Sequence, residues 1–178
     1  MERRQINYDD RLGLTLRKLR APGLLLAARG LHDEPPNIMT IGWATFGIIW
    51  GKPLCIVLVR PSRYTYRLIE ACQDFSVNVA AEGMDDIVAY CGTVSGRDHA
   101  KFAEKGLTAA PSNSISSPVV AECLVHYECK MVHHNDVVPA TLAPELKSAA
   151  YPTGDYHRLY YGEILRTTER ADIESLLR

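Results

Sequence analysis

From Gly23 onward the chain is a series of short apolar runs separated by turn residues, with only brief stretches at helical spacing. Gly23–Leu31 is an apolar run closed by His32-Asp-Glu-Pro-Pro36, whose two prolines cannot sit in a central strand. Asn37–Trp50 is rich in Ile, Thr, Trp and Phe, and Gly51-Lys52 then reads as a hairpin turn into a strand over Pro53–Arg60. Phe75, Val77 and Val79 alternate along Phe75–Ala80, and Cys123–His133 and His157–Thr168 are two long later strands. Helices are predicted over Tyr64–Cys72, after a Pro-Ser start, and over Asp85–Cys91, with acids in its first turn and Gly92 just beyond. A further helical turn is predicted from Ser95. About six strands with short helices between them predict a mainly β fold, a small closed or half-closed antiparallel barrel. Residues 1–20 carry many charges and weak periodicity and read as a lead-in segment, 21–168 as the barrel domain, and 169–178 as a C-terminal tail.

Composition narrows the class. Twenty basic and 21 acidic residues leave a net charge of -1, against the basic surplus that nucleic-acid binding requires. The longest apolar runs fall far short of the ~20 residues of a membrane-spanning helix. No apolar stretch follows the charges of Met1-Glu-Arg-Arg, so no secretory signal is visible and a cytoplasmic protein is expected. Five cysteines without a Cys-x-x-Cys pair read as reduced, mostly buried thiols.

Four segments could carry chemistry. In Arg60-Pro-Ser-Arg-Tyr-Thr65 a helix start offers free amides, with hydroxyls on Ser62 and Thr65 and charge on Arg60 and Arg63; this fits an anion site, or equally a serine cap with solvated arginines. In Asn37-Ile-Met-Thr-Ile-Gly-Trp43, strand alternation puts Asn37, Met39, Ile41 and Trp43 on one face and Ile38, Thr40 and Gly42 on the other. Gly42 there marks either close approach of a flat ring to the backbone or a barrel bend. Ser95-Gly96, with Arg97 and Lys101 nearby, offers more amides and a hydroxyl, or is a plain loop-to-helix junction. Cys123, His126, Cys129, His133 and His134 have some zinc-like spacings, but strand alternation scatters them, and we read the histidines as surface or partner-facing and assign no metal. The sequence has no Gly-x-Gly-x-x-Gly after a strand, no Gly-x-Ser-x-Gly and no His-Glu-x-x-His.

Taken in order, Asn37–Trp43, Val59-Arg-Pro-Ser-Arg-Tyr-Thr65, Phe75-Ser-Val-Asn-Val79, Gly92-Thr-Val-Ser-Gly-Arg-Asp98 through Lys101-Phe102, and Gly154-Asp-Tyr-His-Arg-Leu-Tyr-Tyr-Gly-Glu-Ile164 resemble the flavin reductase-like family of FMN-binding split barrels, flavoredoxin-type branch. The resemblance spans roughly residues 20 to 166. It implies a Greek-key split barrel, noncovalent FMN near the interface of a homodimer, and NAD(P)H or a redox protein partner as electron source. It implies cofactor contacts from Asn37, Met39, Thr40, Ile41, Gly42 and Trp43, a phosphate grip from Arg60, Ser62 and Thr65, a ribityl or ring contact from Asn78, and a closing loop at Ser95 and Gly96. His157 and Lys101 would lie at the redox centre. Two departures stand out: Ala100 where many relatives have an acid, and the insert Val137–Pro152 between the last two strands.

Overall fold

The computed structural model describes residues 2–177. Its strands are β1 (Arg3–Ile6), β2 (Leu24–Ala28), β3 (Asn37–Ile41), β4 (Ala44–Ile49), β5 (Lys52–Val59), β6 (Asp74–Val79), β7 (Ala109–Ala110), β8 (Val119–Val120), β9 (Val125–Asp136) and β10 (Arg158–Arg170). The helices are α1 (Leu12–Arg20), α2 (Tyr64–Cys72), α3 (Asp85–Thr93), α4 (Lys101–Glu104), α5 (Pro144–Ala150) and α6 (Ile173–Leu176). Eight strands form one antiparallel sheet in the order β3-β2-β6-β9-β10-β5-β4, with β1 added to β10, and β7 pairs with β8 separately. The mainly β reading holds.

The expected strand over Asn37–Trp50 is two strands. Only Gly42 and Trp43 separate β3 from β4, yet these strands stand at opposite ends of the hydrogen-bonded path. The sheet therefore curls into a barrel whose seam is crossed at this bend. A Cβ on Gly42 would meet no atom within 4 Å, so the glycine marks the bend and fronts open space. Among the described residues β3 pairs only with β2, so its other edge is left without a strand partner. The β4–β5 hairpin turns at Trp50 and Gly51, both with positive φ (55° and 69°), the geometry of a tight two-residue turn.

All five residues of β2 are buried because both its faces are covered. Leu24, Leu26 and Ala28 enter the barrel core with Phe75, Val77 and Tyr127, while Leu25 and Ala27 pack with Ile38, Val88, Cys91 and Phe102 under α3 and α4. The alternation assigned to 37–43 holds as well: Met39 and Ile41 lie in the first cluster, Ile38 in the second.

Both terminal segments hold elements that pack on the barrel. The segment 1–20 contains β1, paired with β10 from Arg3↔Arg170 to Ile6↔Thr167, and α1, which buries Leu14 and Leu19 against the barrel. The stretch 169–178 includes the end of β10 and α6, whose Ile173 is fully buried. Short elements with charged outer faces gave little periodicity to read. His126, expected at the surface, is 2% exposed, with Nε2 2.7 Å from the Val120 carbonyl oxygen. Burial, with Arg3 nearby, lowers its pKa to about 3. Pairing of β9 with β6 on one side and β10 on the other places it in the interior, whereas His133 and His134 are exposed as expected. Cys123 and Cys129 sit in different core clusters.

Candidate functional site

Two adjoining clefts open along the free edge of β3. The first, about 210 Å³, is lined by Met39, Thr40, Ile41, Gly42, Trp43, Leu58, Arg60, Arg63 and His157. The second, about 120 Å³, shares Met39 and Arg63 and continues past Asn37, Thr65, Gly92, Ser95, Gly96 and Lys101. Between them they hold Arg60, Arg63, Arg97 and Lys101, and no Asp or Glu lines either. Four cations without a facing carboxylate make the whole groove attractive to an anion.

The second cleft is built by three contacts. Asn37 Nδ2 donates to Thr65 Oγ1 at 2.8 Å, tying β3 to the first turn of α2 and leaving the Thr65 hydroxyl proton free to donate. Gly96 lies so close that a Cβ would come within 2.1 Å of Asn37 Oδ1 and 2.8 Å of the Tyr64 ring, so only glycine lets the 95–96 loop reach this depth. Lys101, 4% exposed, donates from Nζ to the Cys91 carbonyl at 2.8 Å. Burial lowers its pKa, and Arg63 adds to that. A buried ammonium with one of three donors engaged and no acid beside it lacks a counterion among the described residues.

The first cleft has an aromatic wall. Trp43, 45% exposed, packs on His157 with ring centroids 4.8 Å apart and edge-on against Tyr151 at 6.3 Å. Tyr151 Oη lies 2.8 Å from His157 Nδ1. Burial is the main cause lowering the His157 pKa to about 4; Arg60 and Arg63 add to it and Asp155 opposes it. The imidazole is uncharged at neutral pH.

The structure places the expected residues unevenly. Asn37, Met39, Thr65, Ser62, Ser95, Gly96 and Lys101 converge on the second cleft, and Thr40, Ile41, Gly42, Trp43 and His157 on the first. Thr40 contributes through its backbone, since its hydroxyl donates to the Val88 carbonyl. Arg60 is not with Thr65. It lines the first cleft, donating to the carbonyls of Ala150 (2.8 Å) and Asp155 (3.2 Å) with its guanidinium 5.1 Å from the Tyr151 ring centre. Ser62 does not cap α2; its hydroxyl is held by the Asp155 carboxylate at 2.5 Å. Asn78 lines neither cleft. It is fully buried, donating to the Leu25 carbonyl (3.1 Å) and Ser76 Oγ (2.9 Å) and accepting from the Val120 amide (3.0 Å), so it stitches β6 to its neighbours.

Tyr151 was missed as a site residue, and Arg63, read as a source of charge for an anion, was left out of the implied cofactor contacts. Arg63 lines both clefts and makes no side-chain hydrogen bond or ion pair among the described residues. Its position at the start of α2, in the motif already singled out, was the available signal. Tyr151 gave none, because it lies in the insert.

The geometry defines a mainly β barrel with an elongated, cationic, half-aromatic groove along one free strand edge. The chain belongs to the flavin reductase-like family: the model of the flavin reductase like domain matches residues 16–177. It is 32% identical over 135 residues to an uncharacterized protein of Archaeoglobus fulgidus, covering 76% of this chain and 66% of that one, just under two thirds of the relative's length. Among solved structures it is similar to the flavoredoxin of Desulfovibrio vulgaris (Miyazaki F), with 25% identity, a TM-score of 0.68 and coverage of 85% of this chain and 70% of that one. An FMN-binding domain of a flavin reductases-like enzyme from Shewanella baltica shares the split-barrel fold at 19% identity, with a TM-score of 0.66 and coverage of 94% and 77%.

Proposed function

We propose that the protein is an FMN-binding oxidoreductase that passes electrons from NAD(P)H to the bound flavin and on to an acceptor. The observation that carries this reading is the acid-free groove, in which a narrow cationic end adjoins a wider aromatic end. One phosphate and one flat ring system fit that division. Lys101, Arg63 and Thr65, with the 95–96 loop, would hold the phosphate; the backbone of Met39–Trp43 and the ring of Trp43 would hold the isoalloxazine, with His157 beside it. When bound, the flavin supplies the two-electron chemistry. Arg60 and Arg63 then favour negative charge on the reduced ring. Flavin-binding and flavin-reducing proteins among the similar structures, including an NADH:FAD oxidoreductase of Streptomyces globisporus, support the reading.

Purified protein is expected to bind one FMN per chain in preference to FAD, and the flavin to bleach with saturable turnover on anaerobic addition of NADH or NADPH. A protein that takes up no FMN overturns the proposal. The likeness to two flavoredoxins, each at 25% identity, favours a second reading as an electron carrier between protein partners. Bleaching by dithionite or a reduced ferredoxin-like protein, but not by either nicotinamide, would select it.

We further propose a homodimer. Trp43 (45% exposed) lines the groove at one end of β4, and Ile48 (57%) and Trp50 (63%) are exposed at the other, apolar groups that a second copy would cover, with the groove walled on the Trp43 side. Light scattering is expected to give twice the 19.8 kDa chain mass. A monomer mass with FMN bound would refute it.

A further inference from the structure

The insert between β9 and β10 is tied to the first cleft by the Tyr151 side chain and by Arg60 bonding the Ala150 carbonyl. The Tyr151 ring is 6% exposed and is gripped from three sides. Tyr156 stacks on it at 4.7 Å, Trp43 meets it edge-on, and the Arg60 guanidinium lies over it while bonding the Ala150 carbonyl beside it. Its hydroxyl has one partner among the described residues, His157 Nδ1 at 2.8 Å.

We infer that Tyr151 is a positioning residue that fixes His157 as a neutral Nε2–H tautomer, so that the first cleft presents an uncharged N–H donor to whatever binds there. The inference rests on reading the first cleft as the ring end of the site. The direction of the hydrogen bond follows from counting donors. Were Nδ1 protonated, it would donate to the phenol oxygen, and the phenol's own proton would be left in a buried place without an acceptor. With the phenol donating, both groups are satisfied and the single imidazole proton must sit on Nε2. That nitrogen has no protein partner among the described residues, and the ring lines the cleft. The groups facing His157 are Arg60 and Arg63 from the segment joining β5 to α2, and Asp155 and Tyr151 from the insert side. The two cations and the burial oppose a second proton on the ring, and the lone carboxylate of Asp155 accepts from Ser62. An uncharged donor suits a carbonyl oxygen or ring nitrogen of a planar, electron-rich ligand, and the half-exposed Trp43 ring beside it suits the ligand's flat face.

The test reads the imidazole directly. In ¹⁵N-labelled wild-type protein at pH 7, His157 is expected to show the Nε2–H pattern of ring nitrogen shifts and to remain neutral down to about pH 5, titrating near 4. Tyr151→Phe keeps the ring that Arg60, Tyr156 and Trp43 pack against and removes only the hydroxyl. It is expected to turn the single tautomer into a mixture and, at saturating FMN, to slow reduction by nicotinamide roughly tenfold, the equivalent of one hydrogen bond. A wild-type Nδ1–H pattern, or a His157 titrating near 6.5, overturns the inference without the variant. A Tyr151→Phe protein with unaltered tautomer and rate overturns it as well. Failure to bind flavin, by contrast, refutes the proposed function and leaves the tautomer result standing.

Discussion

Replacing Lys101 with methionine is expected to weaken FMN binding about ten- to a hundred-fold without lowering the melting temperature of the free protein. Lys101 is 4% exposed, its Nζ bonds only the Cys91 carbonyl among the described residues, and no carboxylate of theirs lines either cleft. An ammonium buried in this way costs the fold stability, because desolvation is not offset by a partner. Burial accordingly lowers its pKa. An arriving phosphate would supply the missing charge and accept the two unused N–H donors, each charge-assisted bond contributing about 1.5–3 kcal/mol. Methionine keeps length and packing and removes the charge, so binding and stability should move in opposite senses. That divergence separates a ligand-holding lysine from a structural one, whose loss would lower both. Flavin fluorescence titration and a thermal melt of the flavin-free protein provide the two numbers. Unchanged affinity would place the phosphate elsewhere in the groove.

Most of the barrel and part of the site were legible in the sequence, for reasons that vary by residue. The helix over Tyr64–Cys72 was bounded by Pro61 and Ser62 upstream and ends at Gln73, in a left-handed conformation, so local punctuation sufficed. The motif around Gly42 pointed to the edge that lines the first cleft because a glycine between apolar strand residues has few uses, and here bend and cleft coincide. Asn78 misled for a physical reason. An asparagine inside an apolar strand must find partners somewhere, and the β2 carbonyls and the Val120 amide satisfy it as well as a ligand would. Arg60 misled because its destination is the insert, and nothing in Val137–Pro152 has the periodicity to announce where it folds back. The N-terminal segment was hidden in the same way: its hydrogen bonds to Cys123, Tyr127 and Glu169 reach residues more than 100 positions away, beyond any local pattern.

That segment yields the second large expectation: a chain beginning at Ala21 will not fold to the native barrel. Its loss removes β1 from the edge of β10 and uncovers the apolar surface now buried by Leu14 and Leu19, each contributing about 1.5–3 kcal/mol. The polar losses are larger. Glu169 is 1% exposed and is held by Arg4 (2.6 Å) and Arg11 (2.5 Å), so deletion strands a buried carboxylate, a loss of about 3–5 kcal/mol for such a pair. Thr15 Oγ1 lies 2.8 Å from the hydroxyl of the fully buried Tyr127, and Arg3 donates to the Cys123 and Leu124 carbonyls at 2.9 and 3.1 Å, so these groups would also lose their partners. Together these terms rival the whole stability of a typical domain, about 5–15 kcal/mol. Far-UV circular dichroism and thermal melting of the truncated protein beside the full chain measure the effect, with Glu169→Gln in the full chain as a control that separates the charge from the lost packing. The control is expected to melt lower yet remain folded, whereas the truncated chain should show no cooperative transition. A truncated protein melting within a few degrees of the full chain would mean that β1 and α1 only decorate the barrel, and that the lead-in reading of residues 1–20 was correct after all.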